Sequence, residues 1–464
     1  MQSSVKNNIS LVFASVFLAC AFFVPGGEVF SKQMVSLLFL IASAIILWVF
    51  QPIPVGASSM LIMVMQPFIG VAGSFAEAFS GFSSPVNFFT ISSFGIALAI
   101  SKTTVPKRLL SGLIGICGTD VRKLTLSYML LTYLISTLVS DVTAVIIGVE
   151  FAVQLLEIIP DGEDKKKIGR QFLIGIPLSS LLGGTATPVG SSINVLALDL
   201  LYKHNGLEVT FIKWMTIGFP VSFITLFITW FFLVRLFRAP DIDPMLIKKY
   251  REKTGSIQAK MQKESVTVAI LCATVLLWIV SSWIPVLNTT AVAVFSLTFL
   301  MLPQVNAFSW NEFSSAVVWE LPLMGAATIS IGNAAVSSGI IQIIVDWMQP
   351  FLPYRSGIII AAFTALFVTA VLFFIPVGPA AVSMLAIPAY MLGEAAGVNG
   401  IMLLIIAAMF ASNSSIVPLN AVMYIPFSKK YWKISEMART GAVMSAVWIL
   451  LSSLWVPFIA SVIF

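Results

Sequence analysis

Two polar stretches break otherwise apolar sequence in the first half of the chain, and both carry groups able to hold an ion. The first, Ser136-Thr137-Leu138-Val139-Ser140-Asp141-Val142-Thr143, sets one carboxylate among hydroxyls. A carboxylate in so apolar a surrounding is costly and is usually kept for function. Asp141, with Ser136 and Ser140, is a candidate for cation coupling. It could instead carry a proton, pair with a basic group, or reach water at a hairpin apex. The second stretch is Gly183-Gly184-Thr185-Ala186-Thr187-Pro188-Val189-Gly190-Ser191-Ser192-Ile193-Asn194. Its Gly and Pro residues end one helix, and the next helix begins with free N–H groups and a positive dipole end suited to a carboxylate.

The second half has counterparts in the same order. Pro376-Val377-Gly378-Pro379 lies inside one apolar stretch, and Ser412-Asn413-Ser414-Ser415-Ile416-Val417-Pro418-Leu419-Asn420 interrupts the next. The candidate substrate contacts are therefore Ser140, Asp141, Thr143, Thr185, Thr187, Pro188, Gly190, Ser191, Ser192 and Asn194, then Gly378, Pro379, Ser414, Ser415, Pro418 and Asn420. The polar members would donate hydrogen bonds to an anion, while glycines and prolines would shape close backbone approach. A kinked helix with interhelical hydrogen bonds explains any one break. Four breaks in a repeated order point to a transporter built from two repeats, with its substrate held between discontinuous helices.

These breaks sit in a chain of 464 residues that is 58% hydrophobic and 10% charged, with mean hydropathy +1.00. A soluble surface needs far more charge, so the chain is read as an all-α polytopic membrane protein in a lipid bilayer. A net charge of +6 reflects basic cytoplasmic loops rather than a nucleic-acid partner. Cys20, Cys117 and Cys272 show neither metal spacing nor a disulfide framework, and His204 is the single histidine, so no cofactor or confident metal site is expected.

Apolar segments are expected at 9–24, 33–50, 57–70, 86–101, 126–158, 171–201, 214–236, 265–284, 290–303, 321–345, 356–395, 400–426 and 440–464. The stretch Ile9 to Val24 lacks a strongly basic flank and is read as a retained first helix rather than a signal peptide. With the N-terminus inside, nearly all lysines and arginines fall on the inner side; only Lys32, Lys203, Lys213 and Arg355 fall outside. That bias requires 126–158 and 356–395 to be re-entrant hairpins, one from each face. The division is then 1–240, a first repeat with its broken helix at 171–201; 241–264, a solvated linker or surface helix; and 265–464, a second repeat with its broken helix at 400–426.

No HExxH, GxSxG or Walker A pattern is present, which leaves an enzyme without machinery. A channel usually carries selectivity-filter repeats or charged rings, and neither is evident.

At this point the sequence resembles the divalent anion/sodium symporters, including the INDY-type dicarboxylate transporters. Leu47-Trp48-Val49-Phe50-Gln51-Pro52-Ile53-Pro54 is similar to that family's LWxxEAIP, with Gln51 and Pro52 in place of Glu-Ala. Phe82-Ser83-Ser84-Pro85-Val86 resembles its YSNPV, 183–194 its GGTGTPTGTPPN, and Pro418-Leu419-Asn420-Ala421 its PPNA. The resemblance implies about eleven transmembrane helices in inverted repeats, a homodimeric scaffold and an elevator-type transport domain. It implies di- or tricarboxylate substrates and sodium sites at two Ser-Asn-Thr tips. Here the first tip reads Ser140-Asp141-Val142, and the second falls near Val377-Gly378-Pro379-Ala380. The expectation is a lost second sodium site and exchange of C4–C5 dicarboxylates, with proton- or sodium-coupled symport as the alternative and an anion channel as a remote one.

Overall fold

The computed structural model describes residues 2–255, 263–284, 287–348, 356–374, 377–417 and 420–464. The described residues form helices throughout. The first half runs α1 (Gln2–Phe23), α2 (Lys32–Phe50), α3 (Val55–Phe68), α4 (Phe75–Ala78), α5 (Pro85–Lys102) and α6 (Val105–Cys117). It continues with α7 (Val121–Ser136), α8 (Asp141–Ile158), α9 (Glu163–Ala186), α10 (Ser192–Asn205) and α11 (Phe211–Leu236). After α12 (Pro244–Gly255) come α13 (Glu264–Val280), α14 (Thr289–Met301), α15 (Trp310–Ala316), α16 (Glu320–Ser338) and α17 (Ile340–Met348). The chain ends with α18 (Gly357–Phe374), α19 (Gly378–Ala395), α20 (Gly400–Ala411), α21 (Ala421–Phe427) and α22 (Ile434–Ile463).

Side-chain caps set several of these starts. Ser31, Ser84, Asp120, Thr210, Asn288 and Asn399 each accept a hydrogen bond from a backbone N–H of the first turn that follows. Among the described residues, α2, α11 and α22 are each long and apolar enough to cross a membrane. The pairs α5–α6 and α15–α16 pass the same test together but bend by 54° and 58°. Six further apolar helical stretches among the described residues, within α1, α3, α13, α14, α18 and α20, run 10–17 residues.

The packing forms two groups. In one, α9 lies against α7, α8 and α11, and α20 lies against α18, α19 and α22. These two halves join through α11 with α22, α10 with α19, and α8 with α21. In the other group the halves exchange partners: α3 packs on α16, α14 packs on α5, and α5 meets α16. Residues 171–191 are buried without exception, as are 400–413. Helices apolar on every side belong in the interior. Both broken spans therefore lie in the centre of their group.

Two elements differ from the sequence reading. Helix α6 occupies a stretch where no apolar segment was expected, because Lys107 and Arg108 interrupt its hydropathy. The stretch 241–264, read as a solvated linker or surface helix, contains a helix docked by one face. Ile242, Ile247 and Tyr250 of this stretch are buried, α12 packs on α6 and α8, and the Ile242 N–H donates to the Thr119 carbonyl at 3.1 Å.

Candidate functional site: two hairpin tips facing two broken helices

Helix α7 ends at Ser136 and α8 begins at Asp141, so the tip of the first hairpin is the four-residue turn between them. It is bound to the break between α9 and α10 by a chain of hydrogen bonds. The Ser136 hydroxyl donates to the Ser180 carbonyl at 2.8 Å, and the Ser180 hydroxyl donates to the Asp141 carbonyl at 2.7 Å. The Thr187 hydroxyl donates to the Thr137 carbonyl at 2.6 Å and accepts from the Gly190 N–H at 3.0 Å. Asn194 donates to the carbonyls of Gly184 (2.8 Å) and Thr187 (2.9 Å). Its own Oδ1 is buried without a partner among the described residues.

Glycine is required at the centre of this arrangement. A Cβ on Gly190 would lie 2.7 Å from the carbonyl oxygens of both Gly184 and Ser136. Side-chain and backbone oxygens of the hairpin and the break thus crowd one small volume. Oxygen donors of this kind suit a hard cation, and here the carbonyls of Thr137, Asp141, Gly184 and Thr187 already accept hydrogen bonds from the hairpin and the break. Asp141 itself is half-buried, accepts from the Val142 N–H at 2.9 Å, and makes no ion pair among the described residues. Pairing with a basic group, one of the roles open to it from sequence, therefore has no support there. No cluster of three or more His, Cys, Asp or Glu groups occurs among the described residues either.

The first-half residues divide by direction. Ser191 caps α10 by accepting from the Ile193 N–H, while Ser192 and Thr143 are half-buried and their hydroxyls make no hydrogen bond among the described residues. Both are free to meet a ligand. Pro188 opens the short turn 188–190 within the break. Thr185 points elsewhere: its hydroxyl donates to Leu182 and its carbonyl accepts from Trp214 of α11.

The second-half site is less polar. Gly378 and Pro379 open α19, and the preceding Pro376 lies outside the described residues, as does Pro418. A Cβ on Gly378 would lie 2.8 Å from the Ala411 carbonyl and would collide with Ile193 of the first break. The second hairpin thus touches both broken helices. Asn420 caps α21 and donates to the hydroxyl of half-buried Ser414. Ser415 faces away, bonded to Ser445 at 2.8 Å and to the Gly441 carbonyl at 3.2 Å, both on α22.

Sequence reasoning missed Ser180, which bridges Ser136 and Asp141. The signal was faint: a serine one turn before Gly183-Gly184 in a helix whose other polar groups were already noted. It also missed Ser84 at the start of α5, which donates to Asp199 of α10 at 3.0 Å and so ties the two packing groups together.

The described residues form an all-helical membrane protein in which two broken helices and two hairpins meet, the construction of a membrane transporter. The model of the sodium:sulfate symporter transmembrane region matches residues 5–462, and the chain belongs to that family. Among curated proteins it is similar to the sodium-dependent dicarboxylate transporter SdcS of Staphylococcus aureus strain USA300, 23% identical over 333 residues. The match covers 67% of this chain and 63% of that protein. The same protein from strain NCTC 8325 / PS 47 matches with the same figures. The chain thus spans 63% of the length of these curated relatives. Among solved structures, MtrF of Neisseria gonorrhoeae, reported with a class of antimetabolite efflux pumps, superposes with a TM-score of 0.52 at 13% identity. It covers 97% of this chain and 94% of its own, a likeness of fold.

Proposed function

We propose that the protein carries C4–C5 dicarboxylates of the succinate, malate and 2-oxoglutarate class across the cytoplasmic membrane by exchange. The observation that carries this reading is the asymmetry of the two tips. The first presents Asp141, Ser136 and converging carbonyls; the second presents Val377, Gly378, Pro379 and Ala380, with no polar side chain. One cation could be held, where a dianion needs two for neutrality. Inward movement of a bare dianion costs about 4.6 kcal/mol against 100 mV, and one cation leaves about 2.3 kcal/mol. Exchange of one dianion for another removes both costs.

The substrate lies between the tips, met by Ser192, Thr143 and Ser414 and by the N-terminal ends of α10, α19 and α21. The two halves are inverted repeats, with the packing group around α9 and α20 as the moving body and the group around α5 and α16 as the scaffold of a homodimer. The lysine-rich loops and the N-terminus lie inside. This reading is supported by the exchanged packing of the halves and by a cavity of about 860 Å³ between α8 and the loops at 101–107 and 303–312. At the opposite edge the groups are closed by Ser84 with Asp199 and by the Ile212 N–H with Ser282.

Uptake of labelled succinate into proteoliposomes tests the reading. Rapid uptake is expected only with internal dicarboxylate, with or without sodium. Uptake into empty vesicles driven by a sodium or pH gradient alone refutes exchange. That outcome would support a second reading, symport with one cation at Asp141, favoured by the oxygen cluster of the first tip and by the relatives named sodium-dependent.

A further inference from the structure

The cavity of about 860 Å³ does not stand alone. Lys102, Lys107 and Lys263 line it, together with the carboxylates Glu150 and Glu312. Glu312 is neutralised by Lys102 at 2.5 Å, and Glu150 accepts from Gln154 at 3.1 Å. Lys107 makes no ion pair among the described residues, and Lys263 reaches only the Gln304 carbonyl. Three lysines against two glutamates leave a surplus of one positive charge facing this space.

A second cavity, of about 460 Å³, adjoins it, since Thr103 and Pro106 line both. Its other walls are apolar: Leu271, Cys272 and Leu276 on α13, Leu109 on α6, and Leu134 and Leu138 at the end of the first hairpin. The pair opens where the chain bends by 54° between α5 and α6, a bend that leaves a cleft neither helix fills. Along α13 the polar end is at Lys263 and the apolar wall reaches Leu276. At 1.5 Å per helical residue that is roughly 20 Å, against roughly 15 Å for one leaflet of a 30 Å hydrocarbon core.

We propose that this double cavity is a binding site for an anionic phospholipid, its phosphate held by Lys107 and Lys263 and an acyl chain laid along the apolar cleft to Leu138. One end has the charge a lipid phosphate needs, the other has the length and polarity of its tail, and the two share Thr103 and Pro106 in their walls. A free phosphate or carboxylate would leave the apolar part unfilled, and a zwitterionic lipid would bring a further cation beside the lysines and leave their surplus charge uncompensated. The lipid would touch α5, α6 and α13 on one side and the first hairpin on the other, at the seam between the two packing groups. The inference rests on the membrane placement of the chain and not on its substrate.

Native mass spectrometry of the detergent-purified protein tests it with added phosphatidylglycerol or phosphatidylcholine. Wild type is expected to retain phosphatidylglycerol in preference, and the double variant Lys107→Gln/Lys263→Gln to lose roughly 30-fold in apparent affinity, about fivefold per lysine. Lys429→Gln/Lys430→Gln, which removes two exposed lysines away from the cavity, controls for net charge and is expected to bind as wild type does. Cys272→Trp, which fills the apolar cleft, is expected to weaken the same adduct while leaving every lysine in place. Equal retention of the two lipids, equal loss in both lysine pairs, or full displacement by glycerol phosphate alone would overturn the site. A transport assay plays no part, so failure here leaves the exchange reading untouched.

Discussion

Gly190→Ala offers a direct test of how the first hairpin and the first broken helix are held together. The added Cβ would stand 2.7 Å from two backbone oxygens, those of Ser136 and Gly184, whereas ordinary contact begins near 3.4 Å. Each must retreat by about 0.7 Å, the difference of those distances, and neither is the end of a flexible side chain. The Gly184 carbonyl also accepts the Asn194 side chain at 2.8 Å, so its retreat stretches that bond toward 3.5 Å. Overpacking of a filled interior costs about 1–3 kcal/mol, and a buried donor left unmatched adds about 1–3 kcal/mol. The variant should therefore unfold at lower temperature, read by fluorescence-detected size exclusion, and should lose most dicarboxylate counterflow. Gly162→Ala, with nothing within 4 Å of its added carbon, controls for the substitution itself. If Gly190→Ala exchanged substrate at the wild-type rate and melted at the wild-type temperature, the close apposition of tip and break would not be what shapes the site.

Asp141→Asn keeps the shape of the tip and removes its charge; under exchange, counterflow should persist with unchanged sodium dependence, and its loss together with sodium stimulation would place Asp141 in coupling. Ser192→Ala and Ser414→Ala should each raise the concentration for half-maximal uptake roughly tenfold or more, since hydrogen bonds to charged groups contribute about 1.5–3 kcal/mol. Ser415→Ala, turned toward Ser445 and Gly441, should instead lower thermal stability by about 1 kcal/mol and leave that concentration unchanged. Ile247→Ala should cost about 2–5 kcal/mol if α12 is docked as described; urea titration showing no change would mean the segment is solvated after all.

Much of this architecture was legible in the sequence because backbone punctuation in an apolar chain has few uses. Helix α9 runs on through Gly183-Gly184 to Ala186, and Thr187-Pro188-Val189-Gly190 forms the break that follows it. What stayed hidden depends on distant partners. Ser180 looks like one more small polar residue until its two bonds to a segment about forty positions earlier are seen. Ser415 and Ser414 are neighbours of one type, and only the helix facing each separates a structural role from a candidate contact. The burial of α12 was masked by its charges: Lys248 and Lys249 face water, while Ile247 and Tyr250, three apart, face inward.

The exchange of partners between the halves bears on how the molecule is made. Helix α3 waits for α16 and α5 for α14, so these two helices of the first half keep a face unpaired until the second half arrives. Gln66 of α3 finds its partner in Ser330, 264 residues later, after another six or more segments have emerged. During synthesis the early helices must hold these polar groups in lipid or against transient neighbours. A first half released alone would be a poor folding unit, and assembly would close late and all at once, like a clasp whose two plates arrive from opposite ends of the chain.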